Sequence, residues 1–88
     1  MREVELTIKN KLGLHARAAS LFVKTAEKFK CGVEMEKDGI RVNAKSIMGI
    51  LMLAAPLGSI VKISTNGESE EECISALKEL VEKKFGEE

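Results

Sequence analysis

The sequence has no Trp, no Tyr and no Gln, and only one His, one Pro and two Cys among its 88 residues. These scarcities exclude whole classes of chemistry. Phe22, Phe29 and Phe85 are the entire aromatic complement, too few for a platform on which nucleic-acid bases stack. Charge of one sign is also missing, because fourteen Lys and Arg balance fourteen Asp and Glu. The chain therefore carries neither the basic footprint of a nucleic-acid binder nor an acidic tail. A single His removes any multi-histidine metal site, and Cys31 and Cys73 form no CxxC pair, so no metal is expected. The two thiols could close one disulfide, but isolated Cys in small domains more often pack as small hydrophobes, which points to the cytoplasm.

Further absences narrow the field. The longest apolar run, Ile50 to Leu57 around Pro56, is too short to span a bilayer. Met1 to Asn10 alternates charged and apolar residues, so neither a secretory signal peptide nor membrane insertion is expected. Gly13, Gly49 and Gly58 stand apart from one another and form no phosphate-binding Gly-rich loop. The Ser residues lack a second base for a hydrolytic triad. No cofactor is expected, and a complete enzyme active site is hard to assemble from this inventory.

What is present is a globular composition, 44% hydrophobic and 32% charged, long enough for one domain. High charge without Gln is a pattern met in heat-stable chains. Val4, Leu6 and Ile8 alternate with Glu3, Glu5, Thr7 and Lys9, which reads as a strand with one buried face. After a loop containing Gly13, Ala16, Ala19, Phe22, Val23, Ala26 and Phe29 recur at helical spacing. Val33 and Met35 mark a second strand, Asp38-Gly39 a tight hairpin, and Ile40 and Val42 a third strand. Ser46 opens a short helix, Ile47 to about Leu53, that stops before Pro56.

A fourth strand, Ile60 to Thr65, is closed by Asn66-Gly67. Ser69 and Glu72 then have the spacing of a capping box for a last helix. Its stripe is Cys73, Ile74, Leu77, Leu80 and Val81, with Lys83 and Lys84 near its end and Gly86 to terminate it. The order β-α-β-β-α-β-α implies an α+β fold. Three helices cover one face of a four-stranded antiparallel sheet, a two-layer open-faced sandwich.

Two places could carry chemistry. His15 lies at the start of the first helix, with Arg17 two residues on. A helix N-terminus offers free N–H groups and a partial positive charge, a ready anion site. The same field disfavours imidazolium, leaving a neutral ring nitrogen as nucleophile, and Arg17 would hold phosphoryl oxygens. A lone exposed His near a helix start more often does nothing chemical, so the residues alone leave both readings open. The second place is Lys45 to Leu53, whose apolar residues nearly encircle a short helix. Some of Ile47, Met48, Leu51 and Met52 must face solvent as a docking patch, unless the helix sinks into the core. Ser46 suits an N-cap in either case.

Gly13-Leu14-His15-Ala16-Arg17 and Lys45-Ser46-Ile47-Met48-Gly49, with Gly58-Ser59 and the element order, resemble the histidine-containing phosphocarrier (HPr) family of the phosphoenolpyruvate-dependent phosphotransferase system. The resemblance covers essentially the whole chain. It implies that His15 accepts a phosphoryl group on Nδ1 from phosphorylated enzyme I, with Arg17 assisting, and passes it to a histidine of an enzyme IIA domain during sugar uptake. It also implies a single surface docking both partners, formed by Ala16, Arg17, Ser20, Ile47, Met48, Leu51 and Met52. Ser46 matches a serine that a dedicated kinase modifies in many members. The chain would then be a monomeric phosphoryl-transfer component rather than a stand-alone enzyme.

Two positions depart from the family pattern. Ala18 stands where Pro is usual, and Pro56 where a small or charged residue is common. Asn10 to Ala19, with Phe85-Gly86, also resembles the nitrogen-related branch, whose members relay phosphate to regulatory targets. A regulatory binding module controlled at Ser46 is a further alternative.

Overall fold

The computed structural model describes residues 1–87. Strand β1 (Arg2–Thr7), helix α1 (Ala16–Ala26), strands β2 (Gly32–Lys37) and β3 (Ile40–Asn43), helix α2 (Ile47–Met52), strand β4 (Ile60–Asn66) and helix α3 (Glu70–Glu82) follow in the expected order. A short 3-10 turn, Lys84–Gly86, comes after α3. The strands lie in the order β1-β4-β2-β3, and every pairing is antiparallel.

Register explains how two layers form. Leu6 pairs with Val61 and Val4 with Ile63, while Met35 pairs with Ile63 on the other side. Side chains alternate across a strand, so these residues share one face, while Glu3, Glu5 and Glu34 project from the other into solvent. Phe22, Val23 and Ala26 of α1, Ile50 of α2, and Cys73, Leu77 and Val81 of α3 close over the apolar face. Cys31 and Cys73 are free and buried. Burial pushes the Cys73 thiol up to about 12, and neighbouring Cys31 adds to the shift.

Helix boundaries differ from the sequence pattern at three places. The stripe of α1 extends to Phe29, but the helix ends at Ala26 with Glu27 as C-cap. Phe29 follows in a turn and still packs against the core. The capping box of Ser69 and Glu72 is not formed. Ser69 adopts φ 62 and makes no side-chain cap bond, because a capping side chain needs an extended N-cap backbone to reach the N–H groups ahead. Glu70 supports the helix start instead. Its Oε1 accepts from the Gly67 N–H at 2.9 Å, and its Oε2 lies 3.0 Å from the N-terminal ammonium.

At the other end, Gly86 does not stop α3. The helix ends at Glu82 with Lys83 as C-cap, and the chain reverses through Lys84 (φ 58) and Phe85 (φ 55) before Gly86 (φ 77). Phe85 is buried in the core, which holds this unfavourable backbone in place and returns the tail toward α1. Non-Gly residues in the left-handed region persist only where surrounding packing over-determines them.

The backbone bond from Gly67 is the main reason the Glu70 carboxyl lies below the usual 4.5, with the N-terminal ammonium assisting. A depressed carboxyl contributes stability that is whole above its unfolded value and lost as pH falls through the folded one. Unfolding free energy is therefore expected to decline as pH drops below 4.5. Glu70→Gln should flatten that decline in urea titrations run between pH 3 and 6, a window of about one to two units around the unfolded value.

Candidate functional site

The loop between β1 and α1 sets the geometry. Asn10 is wholly buried, and its Nδ2 donates to the Gly13 carbonyl at 2.6 Å. The Gly13 N–H donates back to the Asn10 carbonyl at 3.1 Å, and the Leu14 N–H donates across to the Ala55 carbonyl at 2.9 Å. Gly13 has φ +69, and a Cβ there would lie 2.5 Å from the Ala55 oxygen and 2.8 Å from the Pro56 Cα. A side chain is thus barred by both conformation and contact.

His15 emerges from this loop as the N-cap of α1, with an extended backbone (φ −76, ψ 178). Its Nδ1 accepts the Arg17 backbone N–H at 3.2 Å. A nitrogen that accepts carries a lone pair, so the neutral ring holds its proton on Nε2. That nitrogen faces Glu87 Oε2 at 2.5 Å. The bond from His15 is the main reason the Glu87 carboxyl sits below its usual 4.5. Desolvation opposes it, and Asn10 and the nearby charges of His15 and Arg17 reinforce it.

Lys11, Leu12, His15, Arg17 and Glu87 line an open cavity of 530 Å³. Leu12, Leu14, His15, Ala54, Ala55 and Pro56 line a second, smaller one that shares Leu12 and His15 with the first. The end of α2 therefore abuts the histidine. Two cations, one carboxylate and a ring whose Nδ1 accepts a helix N-terminal N–H line the same cavity. Such a site can receive an anionic, electrophilic group on Nδ1 and hold its oxygens. Among the described residues no group of three or more His, Cys, Asp or Glu is assembled.

The remaining candidate residues flank this point. Ala16 and Arg17 are exposed on the first turn of α1, and Ser20 is half-buried one turn on. Helix α2 packs on α1 and buries Ile50, while Met48 and Met52 stay 69% and 76% exposed, Ile47 is exposed, and Leu51 is half-buried. The helix is not sunk into the core. Ser46 caps it, its Oγ accepting the Gly49 N–H at 3.0 Å. Lys45 Nζ donates to the Phe29 carbonyl at 2.8 Å, tying the α2 start to the end of α1. Ala18, in place of the usual Pro, is fully buried in the first turn.

The PTS-HPr family model, described as PTS HPr component phosphorylation site, matches residues 2–83. The chain belongs to the HPr family of phosphocarriers. It is 47% identical over 87 residues to phosphocarrier protein HPr of Xylella fastidiosa (strain Temecula1), covering 99% of this chain and 98% of the relative. A crystal structure of HPr-C-His from Thermoanaerobacter tengcongensis matches with a TM-score of 0.97 and 58% identity, covering 100% of this chain and 99% of that one. An HPr dimer from the same organism matches with a TM-score of 0.79 and 57% identity, covering 99% and 100%.

In this HPr fold, two residues beside His15 escape sequence reasoning. A buried Asn10 leaves a faint signal, since Asn three residues before Gly suits a side-chain-supported turn. Glu87 leaves none, because its arrival depends on the reversal at Lys84 and Phe85. Leu12 is also an exposed apolar residue lining the site that periodicity did not single out.

The Ser46 cap has a measurable consequence. Ser46→Ala should lower stability by about 1 kcal/mol, whereas Ser46→Asp should remain within about 0.5 kcal/mol of the original. Urea unfolding midpoints check both. Gly13→Ala should lose roughly 3 kcal/mol, from forced left-handed backbone and the clash with Ala55 and Pro56.

Proposed function

We propose that His15 accepts a phosphoryl group from phosphorylated enzyme I on Nδ1 and passes it to a histidine of an enzyme IIA domain, supporting sugar uptake. The observation that carries this reading is the lone pair of Nδ1, which accepts the Arg17 N–H in the first turn of α1, in a cavity that Arg17 also lines. When Nδ1 bonds to phosphorus, the Arg17 N–H turns from the ring nitrogen to a phosphoryl oxygen. The guanidinium of Arg17 supplies a second, charge-assisted contact. The helix dipole favours the dianion at the same position.

Docking falls on the surface around this point. Ala16, Arg17 and Ser20 form its polar edge, and Ile47, Met48, Leu51 and Met52 its apolar centre. Exposed methionines adapt to differently shaped partners, which suits a carrier that must bind donor and acceptor in turn and release each. All of these residues come from one chain, so the monomer is the working unit proposed. Free, buried thiols are in keeping with a reducing cytoplasm.

Ser46 is proposed as a second phosphorylation site, modified by a serine kinase. A phosphate there would keep an acceptor at the α2 cap while adding about two negative charges beside Ile47 and Met48, which weakens docking.

Incubation with enzyme I and labelled phosphoenolpyruvate tests the central step. The expected product is an acid-labile, base-stable adduct. His15→Ala should incorporate nothing, and Arg17→Ala should slow incorporation roughly 10–100-fold, the loss of one charge-assisted contact. Label retained by His15→Ala overturns the reading.

A further inference from the structure

Helix α3 ends at Glu82, and the chain then turns back through two non-Gly residues in the left-handed region. Nothing in the local sequence favours that path. It is held by Phe85, buried in the core, and by what Glu87 meets at the end of it. Glu87 Oε2 lies 2.5 Å from His15 Nε2, and Oε1 accepts from Asn10 Nδ2 at 3.2 Å. Asn10 Nδ2 also donates to the Gly13 carbonyl. Both neighbours of that amide nitrogen are acceptors, so its orientation is forced. A buried amide thus holds one carboxylate oxygen, and the other faces the ring.

The two ring nitrogens are therefore unequal. Nδ1 accepts from the Arg17 N–H and Nε2 carries the proton toward Glu87. The other charged residues lining the cavity, Lys11 and Arg17, are cations, and Glu87 is its one carboxylate among the described residues.

We propose that Glu87 is a positioning residue for phosphoryl transfer: together with the Arg17 N–H at Nδ1 it holds His15 as the Nε2–H tautomer, and it balances the positive charge the ring gains when Nδ1 is phosphorylated. The proposal rests on His15 as the acceptor. The Nδ1 lone pair forms the new N–P bond while the donor's N–P bond breaks, its electron pair returning to the donor nitrogen. Nε2 keeps its proton throughout, so the His15 ring becomes a cation and no proton leaves. A carboxylate opposite Nε2–H stabilises that cation, as a buried carboxylate does for the imidazolium of a hydrolase triad. On the onward step the electron pair of the N–P bond returns to Nδ1, and a neutral ring departs. Keeping the proton on Nε2 keeps His15 a good leaving group. The charge of Glu87 thus favours acceptance, and the proton held on Nε2 keeps the ring able to leave on the onward step.

The test separates tautomer from transfer. In nitrogen-15 NMR of the full chain at pH 8, His15 should show a lone-pair signal at Nδ1 and a protonated signal at Nε2. Glu87→Gln, which keeps an acceptor, should retain that pattern, whereas Glu87→Ala should mix the two tautomers. Both variants should slow phosphoryl acceptance from enzyme I by about tenfold or more, the effect of losing one close opposite charge as the ring becomes a cation. Glu87→Asp should recover part of the rate. The proposal is overturned if Glu87→Ala keeps one Nε2–H tautomer, or if Glu87→Gln accepts the phosphoryl group at the original rate. Unfolding midpoints establish that each variant is folded. Phosphate incorporation by His15→Ala overturns the acceptor assignment instead, and leaves the tautomer result standing.

Discussion

The close approach of Gly13 to the backbone of Ala55 and Pro56 is the constraint on which the rest of the site depends. The contact admits no Cβ and a left-handed backbone occupies it, so the loop after β1 is pinned to the loop after α2. One consequence is that His15 leaves that loop in the extended conformation an N-cap requires. Another is that α2, with Met48 and Met52 facing outward, ends beside the histidine. The proposed acceptor nitrogen and the proposed docking face are thus fixed relative to each other by backbone, not by mobile side chains. Precise placement of a reacting atom is worth several powers of ten in rate.

Electrostatics at that point are matched to a phosphoryl group in transit. A carrier must hold phosphate firmly enough to keep it from water and loosely enough to surrender it. The proposed contacts of Arg17, the N-terminal dipole of α1 and the Nε2 proton facing Glu87 all stabilise charge, and none forms a covalent bond to phosphorus. The chain is neutral overall, yet Lys11 and Arg17 share the cavity with His15. Local field and net charge are separate quantities, and it is the local field that an incoming anion meets.

Element order and core faces were legible because they follow from periodicity. Leu6, Val33 and Met35, and Cys73, Leu77 and Val81 bury as their spacing implies, with Val4 half-buried against them. His15, Arg17 and Ser46 could be singled out because helix starts announce themselves through residue type. Three features could not be read. Ser69 has the right neighbours for a capping box, but the turn at Gly67 imposes a left-handed backbone on it, and tertiary geometry overrode the motif. The end of α3 was placed too late, because burial of Phe85, not a terminating Gly, decides where the helix breaks. Glu87 reaches His15 and Asn10 through that reversal, contacts of long sequence separation that no local pattern encodes.

The most direct measurement concerns which nitrogen carries phosphorus. In phosphorus–nitrogen correlated NMR of the chain phosphorylated by enzyme I, the account predicts a phosphorus–nitrogen coupling to Nδ1 of His15, with the Arg17 amide signal displaced as its hydrogen bond moves to phosphate. Coupling to Nε2, or phosphorus on any other residue, would contradict it.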